Sequence, residues 1–281
     1  MKNVLIVGEN SYIGTSFAAY SGSRYNIQTV DARDGKWKNA DFFNVDAVLH
    51  CAGIAHVAQK KYMRQLYYDI NCGLAVDVAT HAKGAGVKQF IFLSSMAVYG
   101  SGNSFIGLET ESSATDFYGG SKFAAEEKLR QLVLPDSDFN LCIARPPMVY
   151  GYGCKGNFPR LIKLAKKLPV FPNIQNYRSM IYIDNLCEYL CQVIDKNKSG
   201  IHFPQNTEYV NTTELVRLIA RFLGKEISTT GFFNPLILHS KNYFSTVEKL
   251  FGDLVYAKAG DEASYNVVNF EDGVRKAVLG D

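Results

Sequence analysis

Val4-Leu5-Ile6-Val7-Gly8-Glu9-Asn10-Ser11-Tyr12-Ile13-Gly14 stands at the start of the chain. Four apolar residues in succession read as a buried strand, and Gly8 stops it. A helix is predicted over 12–20. A strand that turns on a glycine into a helix presents unpaired backbone N–H groups at the turn, and such a turn attracts anions.

The pattern continues outward. Further strands are predicted at 27–31, 47–51, 89–93 and 140–144, with long helices at 62–85 and 117–132 between them. Apolar strands alternating with helices predict an α/β fold, a Rossmann-type doubly wound parallel sheet covered on both faces. We read 1–150 as the dinucleotide-binding domain. Residues 151–281 read as a smaller, mixed C-terminal substrate-binding lobe, some of whose segments return to the sheet. Helices at 157–167, 184–196 and 212–223 and strands near 179–183 and 200–203 are expected there.

Ligands of such sheets sit beyond the carboxyl ends of the strands. Gly8, Asp31, Ala52-Gly53, Ser95 and Pro146 all fall at those ends. The run Gly8, Asn10, Ser11, Tyr12, Ile13, Gly14 would hold a pyrophosphate, with Ser11 where the usual fingerprint has its middle glycine. Asp31 could bind the adenosine ribose hydroxyls, which favours NAD; Arg33, two residues on, keeps NADP open. A turn-forming aspartate is the plain alternative.

Tyr118 and Lys122 are four residues apart, which sets phenol and ammonium on one helix face. The cation is expected to lower the phenol's pKa toward the working range. Ser94-Ser95, at the end of the 89–93 strand, offers a hydroxyl for the same substrate oxygen. Taken alone, Tyr-x-x-x-Lys also suits a solvated surface helix.

The 281 residues, 47% hydrophobic and 20% charged, suit a soluble globular protein. A net charge of +3 gives no reason to expect nucleic acid or a membrane as partner. The six cysteines (51, 72, 142, 154, 187 and 191) lack a Cys-x-x-Cys pair or a neighbouring histidine cluster, so buried thiols are expected rather than a metal site. Met1-Lys2 runs straight into a strand and no apolar run spans a bilayer, so a cytoplasmic location is expected.

Together these residues resemble the extended short-chain dehydrogenase/reductases, specifically the nucleotide-sugar epimerase/dehydratase family. The resemblance rests on Gly8…Gly14, His50-Cys51-Ala52-Gly53, Asn71, Phe92-Leu93-Ser94-Ser95-Met96-Ala97-Val98-Tyr99-Gly100, Tyr118-x-x-x-Lys122, Arg145-Pro146-Pro147-Met148-Val149-Tyr150-Gly151 and Arg178-Ser179-Met180-Ile181-Tyr182-Ile183-Asp184. It covers roughly the first 190 residues. It implies Ser95 as the catalytic hydroxyl, Tyr118 as acid/base, and Lys122 on the nicotinamide ribose. It further implies Cys51, Ala52, Gly53, Asn71 and Pro146 near the cofactor, and Asn157 and Arg178 on the diphosphate of a nucleotide sugar, read as UDP-linked. For Arg178 a surface pair with Asp184 is the alternative. The family's second diphosphate arginine, in an Arg-x-Gly-Asp-like C-terminal run, has no clear counterpart; Arg275 is the candidate. Family members often pair the helices corresponding to 62–85 and 118–132 in a four-helix bundle, so a homodimer is implied. Leu66, Ile70 and Leu74 could face it or the core.

Dehydratases of this family carry an Asp-Glu pair after the catalytic threonine. Met96 and Ala97 stand there, and neither moves a proton. Two reactions remain: NAD-dependent 4-epimerisation through a 4-keto sugar, which Asp31 favours, and NAD(P)H-dependent 4-keto reduction. A catalytically silent nucleotide sensor on the same fold is a third reading, opposed by the retention of Ser95, Tyr118 and Lys122 together.

Overall fold

Six short strands pair side by side in the order Gly200–His202, Asn140–Ala144, Gln89–Leu93, Ala47–His50, Asn3–Val7, Asn26–Val30. Every pairing is parallel. The computed structural model describes residues 1–55, 60–100, 102–133, 138–240 and 245–281. Ile6, Val7, Val48, Leu49, Phe90, Ile91 and Phe92 have no exposed surface. Burial on both faces explains why these strands read as continuous apolar runs rather than alternating ones. The chain steps from Asn3–Val7 to Asn26–Val30 on one side and to Ala47–His50 on the other. The ends of the first and third strands therefore form the switch point where such sheets bind ligands.

The chain forms two compact units. The first comprises Met1–Ser101, Thr110–Pro147 and Ile183–Pro204; the second comprises Gly102–Glu109, Met148–Tyr182 and Gln205–Asp281. The chain thus crosses between them several times rather than once at residue 150. The helix Ile183–Lys196 and the strand Gly200–His202 belong with the sheet.

The helix expected over 62–85 is not uniform. A 3-10 turn at Lys61–Met63 leads into an α-helix Arg64–Tyr68, a π-helical stretch Asp69–Gly73, and a second α-helix Leu74–Gly84. Side-chain spacing carries no sign of the change in hydrogen-bond phase. The buried Asn71 in that stretch is held from outside the helix. Its Oδ1 accepts from Ile54 N (2.7 Å), and its Nδ2 donates to Ile54 O (3.1 Å) and Ser121 Oγ (3.0 Å).

The second unit has only strands of two or three residues in parallel pairs. Met148–Tyr150 pairs with Met180–Tyr182, Val170–Pro172 with Ser228–Thr230, and Phe105–Ile106 with Val255–Tyr256. The helices Asn157–Lys167 and Thr212–Phe222 pack on each other, and Phe270–Leu279 lies against the second of them. Tyr150 anchors its core, with Phe158, Tyr182 and Phe270 at centroid distances of 5.1, 5.5 and 6.3 Å.

Candidate active site

The first turn is tight because of what meets it. Gly8 has φ +118°, and a Cβ there would stand 2.8 Å from Ala52 N. Only glycine lets the Cys51-Ala52 turn close on the first strand, where both their N–H groups donate to Val7 O at 2.9 Å. Ser11 does not stand as a spare donor. It caps the helix Tyr12–Ser21, its Oγ accepting from Gly14 N at 3.1 Å. Burial pushes the Cys51 thiol up to about 12, so it stays protonated. Asn10 is exposed at the tip of the turn, while Tyr12 and Ile13 are half-buried in the first helical turn.

Asp31 is engaged. Arg33 Nε lies 3.0 and 3.1 Å from its two oxygens, Arg33 Nη2 2.8 Å from Oδ2, and Arg33 N also donates to it. Lys36 Nζ is 3.9 Å away. These hydrogen bonds from Arg33 hold the carboxyl down to about 2. The carboxylate expected to receive a ribose is thus already in a cationic fork.

Tyr118 begins the helix Phe117–Gln131, which Asp116 caps by accepting from Gly119 N at 2.8 Å. A Cβ at Gly119 would lie 2.3 Å from Ala97 O, so the glycine beside Tyr118 allows the helix to press on the turn that follows Ser95. Ser95 caps that turn, Met96–Tyr99, its Oγ accepting from Ala97 N at 3.2 Å, and its hydroxyl acts on the Tyr118 phenol. Lys122, one turn on, is buried; it donates to Leu93 O at 2.8 Å and lies 4.7 Å from the Phe92 ring centre. Desolvation brings it down to about 8, against the opposing pull of Cys51 and Glu126. Pro146 O accepts from Met96 N at 3.0 Å and fixes the Ser95 turn to the next strand.

The expected lowering of the phenol is corrected. Burial raises the Tyr118 pKa, the Ser95 hydrogen bond pulls it back, and Asp116 and Tyr67 raise it further. The lysine's ammonium donates to a backbone carbonyl rather than to the phenol. Both polar atoms of the Asn71 side chain serve Ile54 and Ser121. It ties the turn after Gly53 to the catalytic helix.

Beneath the trio lies a network that the motifs alone did not reveal. Ser94 Oγ donates to Glu126 Oε1, and Arg145 forks onto Glu126 with Nε at 2.9 and 3.1 Å and Nη2 on Oε2. Arg145 also reaches the Tyr99 hydroxyl and packs on its ring at 5.0 Å. All four residues are buried. Glu126 lies four residues past Lys122, and that spacing was the one available signal.

In the second unit a narrow cavity is lined by Asn157, Arg178, Met180, Thr212 and Lys249, among others. The structure therefore brings Asn157 and Arg178 together. Arg178 Nη1 donates to Gly252 O at 2.9 Å, and desolvation lowers its pKa. No ion pair of Arg178 occurs among the described residues. Arg275, on the last helix, instead pairs with Asp272 of that helix and with Asp281 beyond its end. The run Lys258-Ala259-Gly260-Asp261 keeps the Arg-x-Gly-Asp spacing with lysine for arginine, and a search for arginine alone misses it. Lys258 donates to Asn206 O at 2.6 Å and lies 4.3 Å from the Tyr209 ring centre.

A parallel sheet with a glycine turn at its switch point and a Ser–Tyr–Lys trio at the neighbouring strand end defines an enzyme of the short-chain dehydrogenase/reductase class. The chain belongs to the NAD-dependent epimerase/dehydratase family, which matches residues 4–206. It is 33% identical to a UDP-glucose 4-epimerase of Vibrio cholerae, over 80% of this chain and 76% of that one. It is 26% identical to an N-acetyl-alpha-D-glucosaminyl-diphospho-ditrans,octacis-undecaprenol 4-epimerase of Escherichia coli O157:H7, over 89% and 81%. The fold matches a UDP-glucose 4-epimerase of Thermotoga maritima solved with UDP-glucose, with a TM-score of 0.75, 17% identity, and 98% and 97% of the two chains covered.

Proposed function

We propose that this protein is an NAD-dependent 4-epimerase of a nucleotide sugar, a UDP-hexose or UDP-N-acetylhexosamine, acting through a transient 4-keto sugar. The observation that carries the reading is the convergence of Ser95, Tyr118 and the buried Lys122, with Gly119 letting the helix of the last two press on the turn that Ser95 caps. Its relatives in Vibrio cholerae and Escherichia coli support 4-epimerisation.

The turn at Gly8, Ser11 and Gly14 fits a pyrophosphate, since it combines an apolar strand end with the N-terminus of a ten-residue helix. Oxidised NAD, held by this turn, would supply the hydride acceptor. Ser95 holds the C4 oxygen of the sugar while Tyr118 takes its proton, as hydride leaves C4. Lys122 orients the ribose and adds its charge, which is close to half-protonated near pH 8. After the keto sugar turns over, hydride returns to the other face and Tyr118 gives the proton back. Atoms and electrons balance with no net redox change. Asn157 and Arg178 are assigned to the diphosphate, where a guanidinium without a carboxylate partner suits phosphate oxygens.

We assign the dinucleotide chiefly to 1–150 and the sugar nucleotide chiefly to 151–281. We also propose a cytoplasmic homodimer through the Arg64–Gly84 and Phe117–Gln131 helices, where Leu66 remains 44% exposed. Sedimentation as a monomer at micromolar concentration would remove that dimer.

A second reading, 4-keto reduction with NADPH, is favoured by one observation: Arg33 and Lys36 surround Asp31 and could hold a 2′-phosphate. The test is to denature the purified protein, identify the nucleotide released, and incubate fresh protein with UDP-glucose, UDP-galactose and their N-acetyl forms. Retained NAD with interconversion in the absence of added cofactor supports the epimerase. An empty protein that consumes NADPH only with a 4-keto sugar nucleotide replaces it with the reductase.

A further inference from the structure

The second unit carries an apolar tip that its own fold does not use. After the strand Ser228–Thr230 the chain runs Gly231-Phe232-Phe233 into the helix Asn234–Ser240, none of whose residues is buried. Phe232 is 82% exposed, Phe233 53%, Leu236 70% and Leu238 45%. The two rings sit edge to face at 5.0 Å, a cluster of aromatic surface rather than one stray side chain. Exposed apolar clusters of this kind mark contact surfaces.

The charge around the tip is mainly basic, with Glu226 just ahead of the strand as an acidic exception. No acidic residue occurs in the second unit's segment 148–182, nor over 227–247. The helix Asn157–Lys167 buries Phe158, Leu161 and Ala165 and turns Arg160, Lys163, Lys166 and Lys167 to solvent. None of those four cations is in an ion pair among the described residues. The basic helix and the apolar helix are physically joined. Val170–Pro172, directly after the first, pairs in parallel with Ser228–Thr230, directly before the second. Asn234 Nδ2 donates to Asn173 O at 2.7 Å, and Lys225 Nζ to Lys166 O at 2.8 Å.

We propose that this face docks on an anionic lipid bilayer, with Phe232, Phe233 and Leu236 entering the interface and the basic helix meeting the headgroups. Aromatic and aliphatic side chains beside unpaired Lys/Arg are the combination that binds such interfaces, since apolar insertion and headgroup attraction reinforce one another. A protein partner would have to be both apolar and strongly acidic to match it. Lying on a bilayer needs no spanning segment, and among the described residues no helix is long and apolar enough to cross one.

The test is co-sedimentation of the full chain with vesicles of phosphatidylglycerol and phosphatidylcholine, compared with phosphatidylcholine alone. The proposal expects pelleting on the anionic vesicles and a loss of about tenfold or more in binding for Phe232→Ser/Phe233→Ser/Leu236→Ser. It also expects a large fall when salt rises from about 0.1 M to about 1 M, which shortens the screening length from about 10 Å to about 3 Å. Lys163→Glu/Lys166→Glu/Lys167→Glu should abolish the preference for anionic lipid, and this second variant leaves the apolar tip intact. Turnover of soluble substrate should be unchanged in both. Pelleting with neither vesicle overturns the proposal. So does a wild-type oligomer that the serine variant converts to monomer without any vesicle binding, which would assign the tip to a second copy of the chain.

Discussion

Two desolvated arginines, one in each unit, show what separates a structural cation from a binding one. Arg145 is 3% exposed and is forked onto the fully buried Glu126, with Ser94 and Tyr99 completing its shell. Arg178 lines a cavity and donates to one backbone carbonyl, with the charges of Asp253 and Glu248 offsetting its burial. The first arginine has its anion within the chain. The second has no carboxylate in an ion pair among the described residues, and that is why we propose an anion from outside for it. Burial alone does not tell them apart; the accounting of partners does.

The contrast is sharpest when catalysis is separated from binding. Tyr118→Phe should lower kcat by about 10³-fold, with KM for the sugar nucleotide little changed, in a steady-state epimerisation assay. A matching loss in KM alone would remove the acid/base assignment. Glu126→Ala should cost about 3–5 kcal/mol in denaturant unfolding, because it strands a buried guanidinium. Arg178→Ala should do the opposite. Its stability should change little, while KM rises about 10–100-fold, the range for one charge-assisted hydrogen bond. If Arg178→Ala unfolds the second unit instead, the two arginines play the same part and the comparison fails.

A smaller effect comes from His50, buried between Phe90 and Phe92 at 5.9 and 6.0 Å. Its ring nitrogens have no hydrogen-bond partner among the described residues. Desolvation, with a smaller push from Lys122, takes it down to about 3. Folded, the imidazole stays neutral; unfolded, it takes a proton below about 6.5. Its linkage therefore costs stability as pH falls through the window between about 6.5 and 3, by up to about 1.4 kcal/mol per unit. His50→Leu should flatten that part of a stability–pH profile, and an unchanged slope would mean the imidazole is hydrated in the fold.

How far the sequence could be read follows from the range of the interactions. The strands Gln89–Leu93 and Asn140–Ala144 and the helix Asn157–Lys167 match their expected limits, because unbroken apolar runs and cap residues are local signals. Tyr118 and Lys122 were legible for the same reason. The Glu126–Arg145 fork joins positions 19 apart, which no spacing rule connects. In the second unit, strands of two or three residues are too short for any periodicity to register. Lys258 escaped because the search was framed by arginine.

The π-helical stretch at Asp69–Gly73 has a consequence for how this helix can be altered. Relative to an α-helix it carries a surplus residue, so side chains before and after it are counted from different starting angles. Leu66 and Leu74 stand on opposite sides of that offset and cannot be treated as one straight seam. Deleting a single residue there would yield a more regular helix and would withdraw Asn71 from Ile54 and Ser121, loosening the catalytic helix from the cofactor turn. At this point regularity and activity are competing demands on the same backbone, and the chain keeps the irregular solution.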